Sequence, residues 1–504
     1  MIEQLVAGFA LTLSQPFNMV LIVAGIAIGI ILGAMPGLTA TMGIAIALPL
    51  TFGMEPELGL TLLASIFIGG IHGGGIPGIL IRTPGTPASA ASMIDGFELS
   101  KQGNASLALG VHAFSSSTGS FLATVILIFG SAALANFALD FGPAEFFVLS
   151  IFGLTVVSSV TGRSTLRGLF MAGLGLLLST VGIDPIRGYP RFSFGVYELA
   201  DGFSLVPALI GLFAISQVLI EIKTLDAPIV QAERVRARLP NLKTIRSIMP
   251  TIVKSSVLGT MIGAVPGPGA VLGSFIPYAE AKRSSKHPEK FGKGAIEGVA
   301  AAEAGNNAAA IGALIPTLTL GIPGEAATAV LLGGLMILGL RPGPMLFVEN
   351  AHVVYSLFAS LLIAAVVLLF LALIMAKHMG KLITVPKKLL LPAILLFCIV
   401  GSFAIRNSIF DVGIALGFGI LGFALNRIDY PTVPILLGLI LGPIAESSFR
   451  RALLVSRGDP MIFVSSTVSI VLIILSVLSL VFGYRLTTSI NRQAKSAGLD
   501  NSSD

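Results

Sequence analysis

The chain is 504 residues long, and 54% of these residues are hydrophobic while only 11% are charged. A soluble domain carries about 25% charged residues, so this composition excludes a soluble globular protein and indicates a polytopic membrane protein. The net charge of +6 does not point to nucleic acid, because the basic residues fall in short loops between apolar segments. In that position basic residues orient a membrane protein.

Apolar segments follow one another along most of the chain. The uncharged runs 353–376 and 461–484 can each cross about 30 Å of hydrocarbon. Other candidate spans lie near 18–34, 58–72, 106–136, 144–160, 165–183, 203–220, 389–404, 408–425 and 431–444. With interrupted segments added, a window of about 20 residues per span predicts about eleven to twelve membrane passages. The predicted fold class is therefore an all-α polytopic membrane protein.

One long polar stretch, 221–247, interrupts the middle of the apolar sequence and is rich in Lys and Arg. The positive-inside rule places it in the cytoplasm, together with the basic segments 282–293 and 377–388. This connector predicts a four-part organisation. The parts are an N-terminal membrane repeat (1–220), the cytoplasmic connector (221–247), a C-terminal membrane repeat with terminal spans (248–484) and a cytoplasmic tail (485–504).

Short Gly- and Pro-containing motifs recur in the two halves. LGAMPG at 32–37 resembles IGAVPG at 262–267, and GIPG occurs at 75–78 and again at 321–324. Polytopic transport proteins are commonly built from internal repeats, often inverted in the membrane. We therefore predict two homologous halves, although the differing offsets between motif pairs leave the register open.

The segment 248–279 is too short to cross the membrane twice. If the basic stretches on both sides are cytoplasmic, the chain must enter and return, which needs about 40 residues plus a turn for two full spans. A re-entrant helical hairpin that turns at 266–269 fits the available length. The segment 308–340 has a similar composition, and we expect its turn at GIPG 321–324.

A hairpin tip leaves free backbone amides at the start of its second arm, and these carry the positive end of the helix dipole. They can bind an anion without a buried Lys or Arg. Small or hydroxyl-bearing residues follow each predicted break. The substrate-binding candidates are Gly37, Thr39, Thr41, Arg82, Thr83, Gly85, Thr86, Ser89, Gly267, Gly269, Asn306, Asn307, Gly324 and Thr328. The alternative is that the breaks are loops outside the membrane, or kinks that serve packing.

Ionisable and amide side chains inside apolar segments are functional candidates, because burying them in lipid is costly. Arg82 could pair with a substrate carboxylate or extend to the interface. Glu303, Asn306 and Asn307, in GVAAAEAGNNAAA, are coupling-ion candidates, with a satisfied polar cluster at a helix end as the alternative. Glu325 follows the second GIPG, where a negative group would oppose anion binding.

Enzymatic signatures are missing from the sequence. It contains no Walker A motif and no Gly-x-Ser-x-Gly nucleophile elbow, and its five histidines show no metal-ligand spacing. We therefore expect no catalytic residues, no metal site and no cofactor apart from a coupling ion.

Five long motifs closely resemble the large membrane subunit of tripartite tricarboxylate transporters, the TctA family, over residues 18–455. The motifs are GAMPGLTATMGIAIALPLTFGM, ILIRTPGTPASAASMIDGFELSKQG, PEKFGKGAIEGVAAAEAGNNAAA, LTLGIPGEAATAVLLGGLMILGLRPGPMLF and LGPIAESSFRRAL.

The resemblance implies a multi-pass protein of the bacterial cell inner membrane. It implies secondary uptake of a small carboxylate, either a tricarboxylate such as citrate or a dicarboxylate, driven by a Na⁺ or H⁺ gradient. The implied partners are a small four-span membrane subunit (TctB-like) and a periplasmic solute-binding protein (TctC-like). Two positions depart from the family pattern: Arg82 stands where Asn is frequent and Glu325 where a small residue such as Ser is usual. Substrate and coupled ion therefore stay open.

Three other functions are compatible with the sequence. A channel would conduct solute without a coupling ion or a binding protein. A scaffold or receptor subunit would carry no substrate, and an intramembrane enzyme would need a catalytic constellation that the sequence does not display. For the transporter, paired hairpins on a duplicated scaffold favour an elevator-like motion of the hairpin unit.

Overall fold

The computed structural model describes residues 1–35, 37–160, 164–184, 187–225, 235–267, 269–382 and 385–496. The predicted break residues Pro36 and Pro268, the connector residues 226–234 and the tail residues 497–504 lie outside the described residues. The structure is 81% helical, and its described residues contain very little strand. This confirms the prediction of an all-α fold.

The first six helices precede residue 139. They are α1 (Ile2–Ser14), α2 (Pro16–Ala34), α3 (Ala40–Ala47), α4 (Pro56–Ile81), α5 (Ala90–Leu99) and α6 (Ala105–Ala138). The next segment contains α7 (Pro143–Val160), α8 (Thr165–Ser179), a two-stranded antiparallel hairpin of β1 (Gly182–Ile183) and β2 (Pro190–Arg191), and α9 (Leu205–Leu209).

Twelve further helices complete the described chain. They are α10 (Ser216–Glu221), α11 (Leu242–Gly263), α12 (Gly269–Ser284), α13 (Ile296–Gly312), α14 (Leu314–Leu320), α15 (Ala326–Ile337), α16 (Leu346–Glu349), α17 (Ala351–Leu382), α18 (Lys387–Arg406), α19 (Ile409–Arg427), α20 (Val433–Val455) and α21 (Thr467–Ser496). Short 3₁₀ or π turns lie at Leu48–Thr51, Pro87–Ser89, Ser100–Asn104, Tyr197–Leu199, Ile210–Ile215, Ile222–Thr224, Pro288–Lys290 and Pro460–Val464.

Within the described ranges, eight helices are long and apolar enough to cross a membrane, and six shorter apolar helices accompany them. Helices satisfy their own backbone hydrogen bonds, which is what a chain needs in lipid. The chain is therefore a polytopic membrane protein, as its composition predicted.

The chain packs into two compact units, and each unit is built from two separate stretches of the sequence. The first unit comprises Met1–Ala138 and Leu209–Ile420, and the second comprises Leu139–Ala208 and Leu421–Asp504. Each unit therefore contains segments from both sides of the 221–247 connector. All candidate site residues belong to the first unit.

Glycines bring two helix pairs of the first unit into backbone contact. A Cβ atom on Gly33 of α2 would lie 2.2 Å from the carbonyl oxygen of Gly70 on α4, and one on Gly263 of α11 would lie 1.9 Å from that of Ala309 on α13. Such contacts exclude any side chain at these positions and are typical of small-residue packing between membrane helices. The pairs α2–α4 and α11–α13 therefore show the same type of contact in the two halves.

Four interruptions of the helices matter for the site. Break 1 separates α2 from α3, break 2 separates α4 from α5, break 3 separates α11 from α12, and break 4 separates α14 from α15. Breaks 3 and 4 lie where the turns of the two hairpins were predicted. The two GIPG motifs, however, are not equivalent, because residues 75–78 lie inside the continuous helix α4 whereas 321–324 form break 4.

The structure supports a different alignment of the two halves, in which break 2 corresponds to break 4. Arg82 ends α4 in the left-handed conformation and donates its amide to the carbonyl of Pro77. Gly321 ends α14 in the same conformation and donates to the carbonyl of Pro316. The stretch 82–89 therefore corresponds to 321–328. The two stretches share only Pro84 with Pro323, Gly85 with Gly324 and Ala88 with Ala327, which is too little for the sequence alone to align them.

Candidate functional site

Break 1 is covered by polar side chains from α10 and from the start of α18. The Gln217 amide donates to the carbonyl of Gly37 at 2.9 Å and to Glu221 Oε1 at 3.1 Å. Lys387 donates to the other carboxylate oxygen of Glu221. Thr39 caps α3 by accepting the amide hydrogen of Met42 at 3.2 Å, and Thr41 follows, half-buried, in the first turn of α3. No sequence motif indicated that Gln217 and Glu221 would cover break 1.

Break 2 is closed by one backbone bond and one pair of hydroxyls. The Gly85 amide donates to the carbonyl of Gly74 at 2.9 Å, and the hydroxyls of Thr86 and Ser89 lie 2.8 Å apart. These two side chains are buried. They form a small polar surface at the start of α5, as their positions after the Pro-Gly pair predicted.

Two candidates of break 2 lie apart from that buried surface. Arg82 is exposed, and its guanidinium carbon lies 5.7 Å from the centroid of the Phe97 ring. Thr83 is also exposed and donates to the carbonyl of Ile81 at 3.4 Å. Burial therefore separates Arg82 and Thr83 from Gly85, Thr86 and Ser89.

Breaks 3 and 4 meet each other. The Gly267 amide donates to the carbonyl of Gly324 at 2.9 Å, and the Ala270 amide donates to Glu325 Oε2 at 3.1 Å. Pro266 and Pro323 are buried. The two interruptions are therefore neighbours inside the protein rather than separate exposed loops.

Glu325 caps the first turns of two helices, α15 and α12. Its backbone amide donates to the Thr328 hydroxyl at 3.1 Å, in a capping box that starts α15. Its carboxylate accepts a hydrogen bond from the Ala270 amide at the start of α12. Gly269, the residue before Ala270, has a φ of 52°, and a Cβ added there would lie only 2.9 Å from Glu325 Oε2. A carboxylate of the chain itself thus binds a helix-start amide of the kind that was predicted to bind the substrate carboxylate.

The coupling-ion candidates lie on one face of α13, since residues three and four positions apart share a face. Glu303, Asn306 and Asn307 are all buried. Asn307 donates to the Ser120 hydroxyl at 3.0 Å, and Ser116 donates to Glu303 Oε2 at 3.2 Å. Four polar positions of these residues have no partner in the structure: Glu303 Oε1, both amide atoms of Asn306 and Asn307 Oδ1. Buried polar atoms without a partner are costly and rare.

Two buried histidines complete this polar region. His72 Nδ1 lies 3.1 Å from the Ser116 hydroxyl, and His112 Nε2 lies 2.9 Å from the carbonyl oxygen of His72. The rings are stacked with centroids 4.3 Å apart. His112 Nδ1 is 3.2 Å from Glu303 Oε2. The histidines were set aside for lacking metal-ligand spacing, although their position in apolar segments was itself a functional signal.

Adjacent glycines of α4 connect break 2 to the polar face of α13. A Cβ on Gly74 would lie 3.0 Å from the hydroxyl oxygens of both Thr86 and Ser89. A Cβ on Gly75 would lie 2.3 Å from His112 Cε1 and 2.9 Å from Glu303 Oε1. In addition, α12, which begins at break 3, packs against Pro87–Ser89. Breaks 2, 3 and 4 and the polar face of α13 therefore form one connected region.

Interrupted apolar helices that meet beside buried polar side chains define an integral membrane protein with an internal polar site. The family model "Tripartite tricarboxylate transporter TctA family" matches residues 19–437, and the chain belongs to that family. The chain is thus the large membrane subunit of a tripartite tricarboxylate transporter, a system that contains other subunits.

Two proteins of Agrobacterium vitis are similar to the chain. One, "Uncharacterized 52.8 kDa protein in TAR-I ttuC' 3'region", is 38% identical over 469 residues, which cover 93% of each chain. The other, "Uncharacterized protein in TAR-II ttuC' 3'region", is 41% identical over 211 residues, which cover 42% of this chain and 87% of that protein. No solved structure matches the chain significantly.

Proposed function

We propose that this subunit imports a small carboxylate, a tricarboxylate such as citrate or a dicarboxylate, with a Na⁺ or H⁺ gradient as the driving force. A periplasmic TctC-like binding protein delivers the substrate, and a small TctB-like membrane subunit completes the system in the bacterial inner membrane. The observation that carries the proposal is the junction of breaks 3 and 4, where Gly267 bonds to Gly324 beside the buried polar face of α13.

The substrate carboxylates are assigned to the connected region of breaks 2, 3 and 4. Its hydroxyls on Thr86, Ser89 and Thr328 can donate to a carboxylate. The amides of Gly85 and Gly267 are bonded to backbone carbonyls in this conformation. Their role as anion donors therefore requires the breaks to separate when substrate enters.

The coupling ion is assigned to the polar face of α13. Oxygens without partners on Glu303, Asn306 and Asn307 are suited to a cation, and the carboxylate supplies the compensating charge. An ion bound there lies close to break 2, because Gly75 contacts Glu303 while the adjacent Gly74 contacts Thr86 and Ser89. Ion and substrate can therefore stabilise the same conformation.

Uptake of labelled citrate and labelled succinate by cells that express the complete system tests this function. We expect accumulation against the substrate gradient, dependent on the binding protein and on an inward Na⁺ or H⁺ gradient. Flux that needs neither an ion gradient nor a binding protein would identify a channel instead. Screening carboxylates against the purified binding protein identifies the substrate independently.

Asn306→Ala separates a transport role from a scaffold role. Loss of its buried amide should reduce accumulation about tenfold, a typical size for coupling between sites. Asn104→Ala, which alters an exposed asparagine bonded to the carbonyl of Gln102, is the matched control and should transport normally. Equal uptake by both variants, at equal expression, would favour the scaffold.

A further inference from the structure

Four buried side chains of the first unit form a continuous polar cluster. We call His72, His112, Ser116 and Glu303 the His–Glu cluster, and each is at most 1% exposed. Three helices contribute to it: α4, α6 and α13. An unbalanced charge at such a position in a membrane protein costs several kcal/mol, so the distribution of protons in the cluster is restricted.

The hydrogen on His112 Nε2 is fixed by its neighbour. The carbonyl oxygen of His72 can only accept, so Nε2, 2.9 Å away, carries a hydrogen. The other ring nitrogen, Nδ1, lies 3.2 Å from Glu303 Oε2, in electrostatic contact although not aligned for a full hydrogen bond. Without a proton on either atom, two acceptor atoms would lie 3.2 Å apart with no hydrogen between them, beside a buried negative charge. One proton therefore belongs to this pair, on the imidazole or on the carboxyl group.

Ser116 fixes the remaining hydrogens. Its hydroxyl donates to Glu303 Oε2 at 3.2 Å, so it must accept from His72 Nδ1 at 3.1 Å. His72 is then a neutral imidazole with its hydrogen on Nδ1. The cluster thus contains one proton that can leave without breaking the other hydrogen bonds. It is the proton shared by His112 and Glu303, and the side chains of Ser116 and His72 position it.

We propose that the coupling ion is a proton, bound between Glu303 and His112 and positioned by Ser116 and His72. This inference rests on the proposed function and specifies its ion. Sodium is the competing ion and would bind the unpartnered oxygens of Asn306 and Asn307.

Other charged groups on the elements around α4, α6 and α13 have contacts elsewhere. Examples are Glu57 with His352, Asp95 with Tyr278, Glu98 with Lys101, Lys254 and Arg283 with Glu280, Glu297 with Ser285, and Glu325 with the Ala270 amide. The charge of the cluster is therefore set chiefly by Glu303 and the two histidines.

The cluster is connected to the substrate region through α4. Gly75 lies against His112 and Glu303, while Gly74 lies against Thr86 and Ser89. Loss of the proton leaves an uncompensated carboxylate in this conformation and destabilises it, whereas a bound substrate at break 2 stabilises it. Because such coupling is reciprocal, proton binding strengthens substrate binding and the reverse.

The wild-type system distinguishes the two ions. In sodium-free buffer, an inward pH gradient should drive citrate or succinate accumulation, and a protonophore should abolish it. Accumulation that requires sodium and is insensitive to the pH gradient would overturn the proton assignment while leaving carboxylate transport intact. Uptake without either gradient would instead overturn the proposed function.

Glu303→Gln tests the residue, because glutamine resembles the protonated carboxyl group. Proton-driven accumulation should fall about tenfold or more, while exchange of labelled for unlabelled substrate should stay within about threefold of wild type. Glu297→Gln, the same change on the same helix, should retain both activities. Full proton-driven accumulation by Glu303→Gln would overturn the proposal.

His112→Gln provides an independent variant. Its amide can still donate to the carbonyl of His72 but cannot share a proton with Glu303, so proton-driven accumulation should again fall about tenfold or more. Because Glu303 keeps its carboxylate without the imidazole beside it, exchange should fall in this variant as well, unlike in Glu303→Gln. Unaltered proton-driven accumulation in this variant would also contradict the assignment. The comparison of ions in the wild type decides the question if both variants fail to fold.

Discussion

Gly75 of α4 lies against His112 and Glu303 of the His–Glu cluster, and it has no room for a side chain. A Cβ would be 2.3 Å from His112 Cε1 and 2.9 Å from Glu303 Oε1. The His112 ring is held in place by its contact with the carbonyl of His72 and by stacking on the His72 ring. We expect Gly75→Ala to lower the free energy of unfolding by about 1–3 kcal/mol, the usual cost of overpacking. Thermal unfolding in detergent measures the change.

Gly413→Ala is the control for this prediction. Gly413 is also helical, but an added Cβ would have no atom within 4 Å. Its replacement should leave stability unchanged or raise it slightly, because alanine favours helix. Equal unfolding temperatures for Gly75→Ala and Gly413→Ala would show that the cluster is loosely packed.

Arg82 has a φ of 56°, which is unfavourable for any residue with a Cβ. Arg82→Gly and Arg82→Ala both remove the contact with Phe97, but only glycine relieves the backbone. We expect the glycine variant to be more stable than the alanine variant by about 1 kcal/mol. Chemical or thermal unfolding of the two variants measures this difference, and an equal or lower stability of the glycine variant would contradict it.

At this scale the sequence predicted some residues of the site and missed others. Glu303, Asn306 and Asn307 stood out because polar groups inside an apolar segment are costly. The side chains around them come from helices far away in sequence. Ser116 and His112 of α6 contact Glu303, and Ser120 of α6 accepts from Asn307, while His72 of α4 contacts Ser116 and His112. A single sequence shows which side chains are expensive to bury but not which ones compensate each other.

Glu325 joins the starts of α12 and α15 with one carboxylate. In Glu325→Gln an amide oxygen can still accept from the Ala270 amide, while the negative charge is removed. If substrate carboxylates bind at this junction, removal of the like charge should lower the KM for carboxylate uptake about two- to tenfold. Glu325→Ala should instead lose about 1 kcal/mol of stability with the cap. An increased KM in Glu325→Gln would show that the carboxylate assists binding.

Helix interruptions were the elements that the sequence predicted best. Pro-Gly pairs remove donors and allow unusual backbone angles, so their effect is local and can be recognised without a structure. The equivalence of 82–89 with 321–328 was not recognisable in this way. It depends on backbone angles and hydrogen bonds that Arg82 and Gly321 share despite their different side chains.

Asp95 links the two halves of the sequence within the first unit. Its Oδ1 accepts the amides of Gly292, Gly294 and Ala295 at 2.8–2.9 Å, and Oδ2 accepts the Tyr278 hydroxyl at 2.9 Å. Asp95→Ala leaves these donors without a partner and should cost about 3 kcal/mol or more. Thermal unfolding measures the loss.

Asp95→Asn is the matched variant, because its amide oxygen can still accept from the three backbone amides. It should retain more than half of the stability lost in Asp95→Ala. Similar losses in both variants would mean that the negative charge, rather than the number of hydrogen bonds, stabilises the 292–295 segment.

Which stretches of the chain pack together in each compact unit could not be predicted from the sequence. The connector at 221–247 suggested two consecutive halves, whereas packing groups residues 139–208 with 421–504. Such grouping depends on contacts between distant segments, for which hydropathy and motif spacing carry no information. Whether the two halves descend from a duplication is a separate question and stays a prediction.

The glycine-lined contact of α2 with α4 has a consequence for biogenesis. Helix α4 carries His72 and several glycines, is less hydrophobic than α2 and is almost entirely covered by protein. On its own it would be a poor candidate for release from the translocon into lipid. Helix α2, which emerges from the ribosome first, offers it a complementary backbone surface. We therefore expect α4 to integrate stably only after α2 has been inserted.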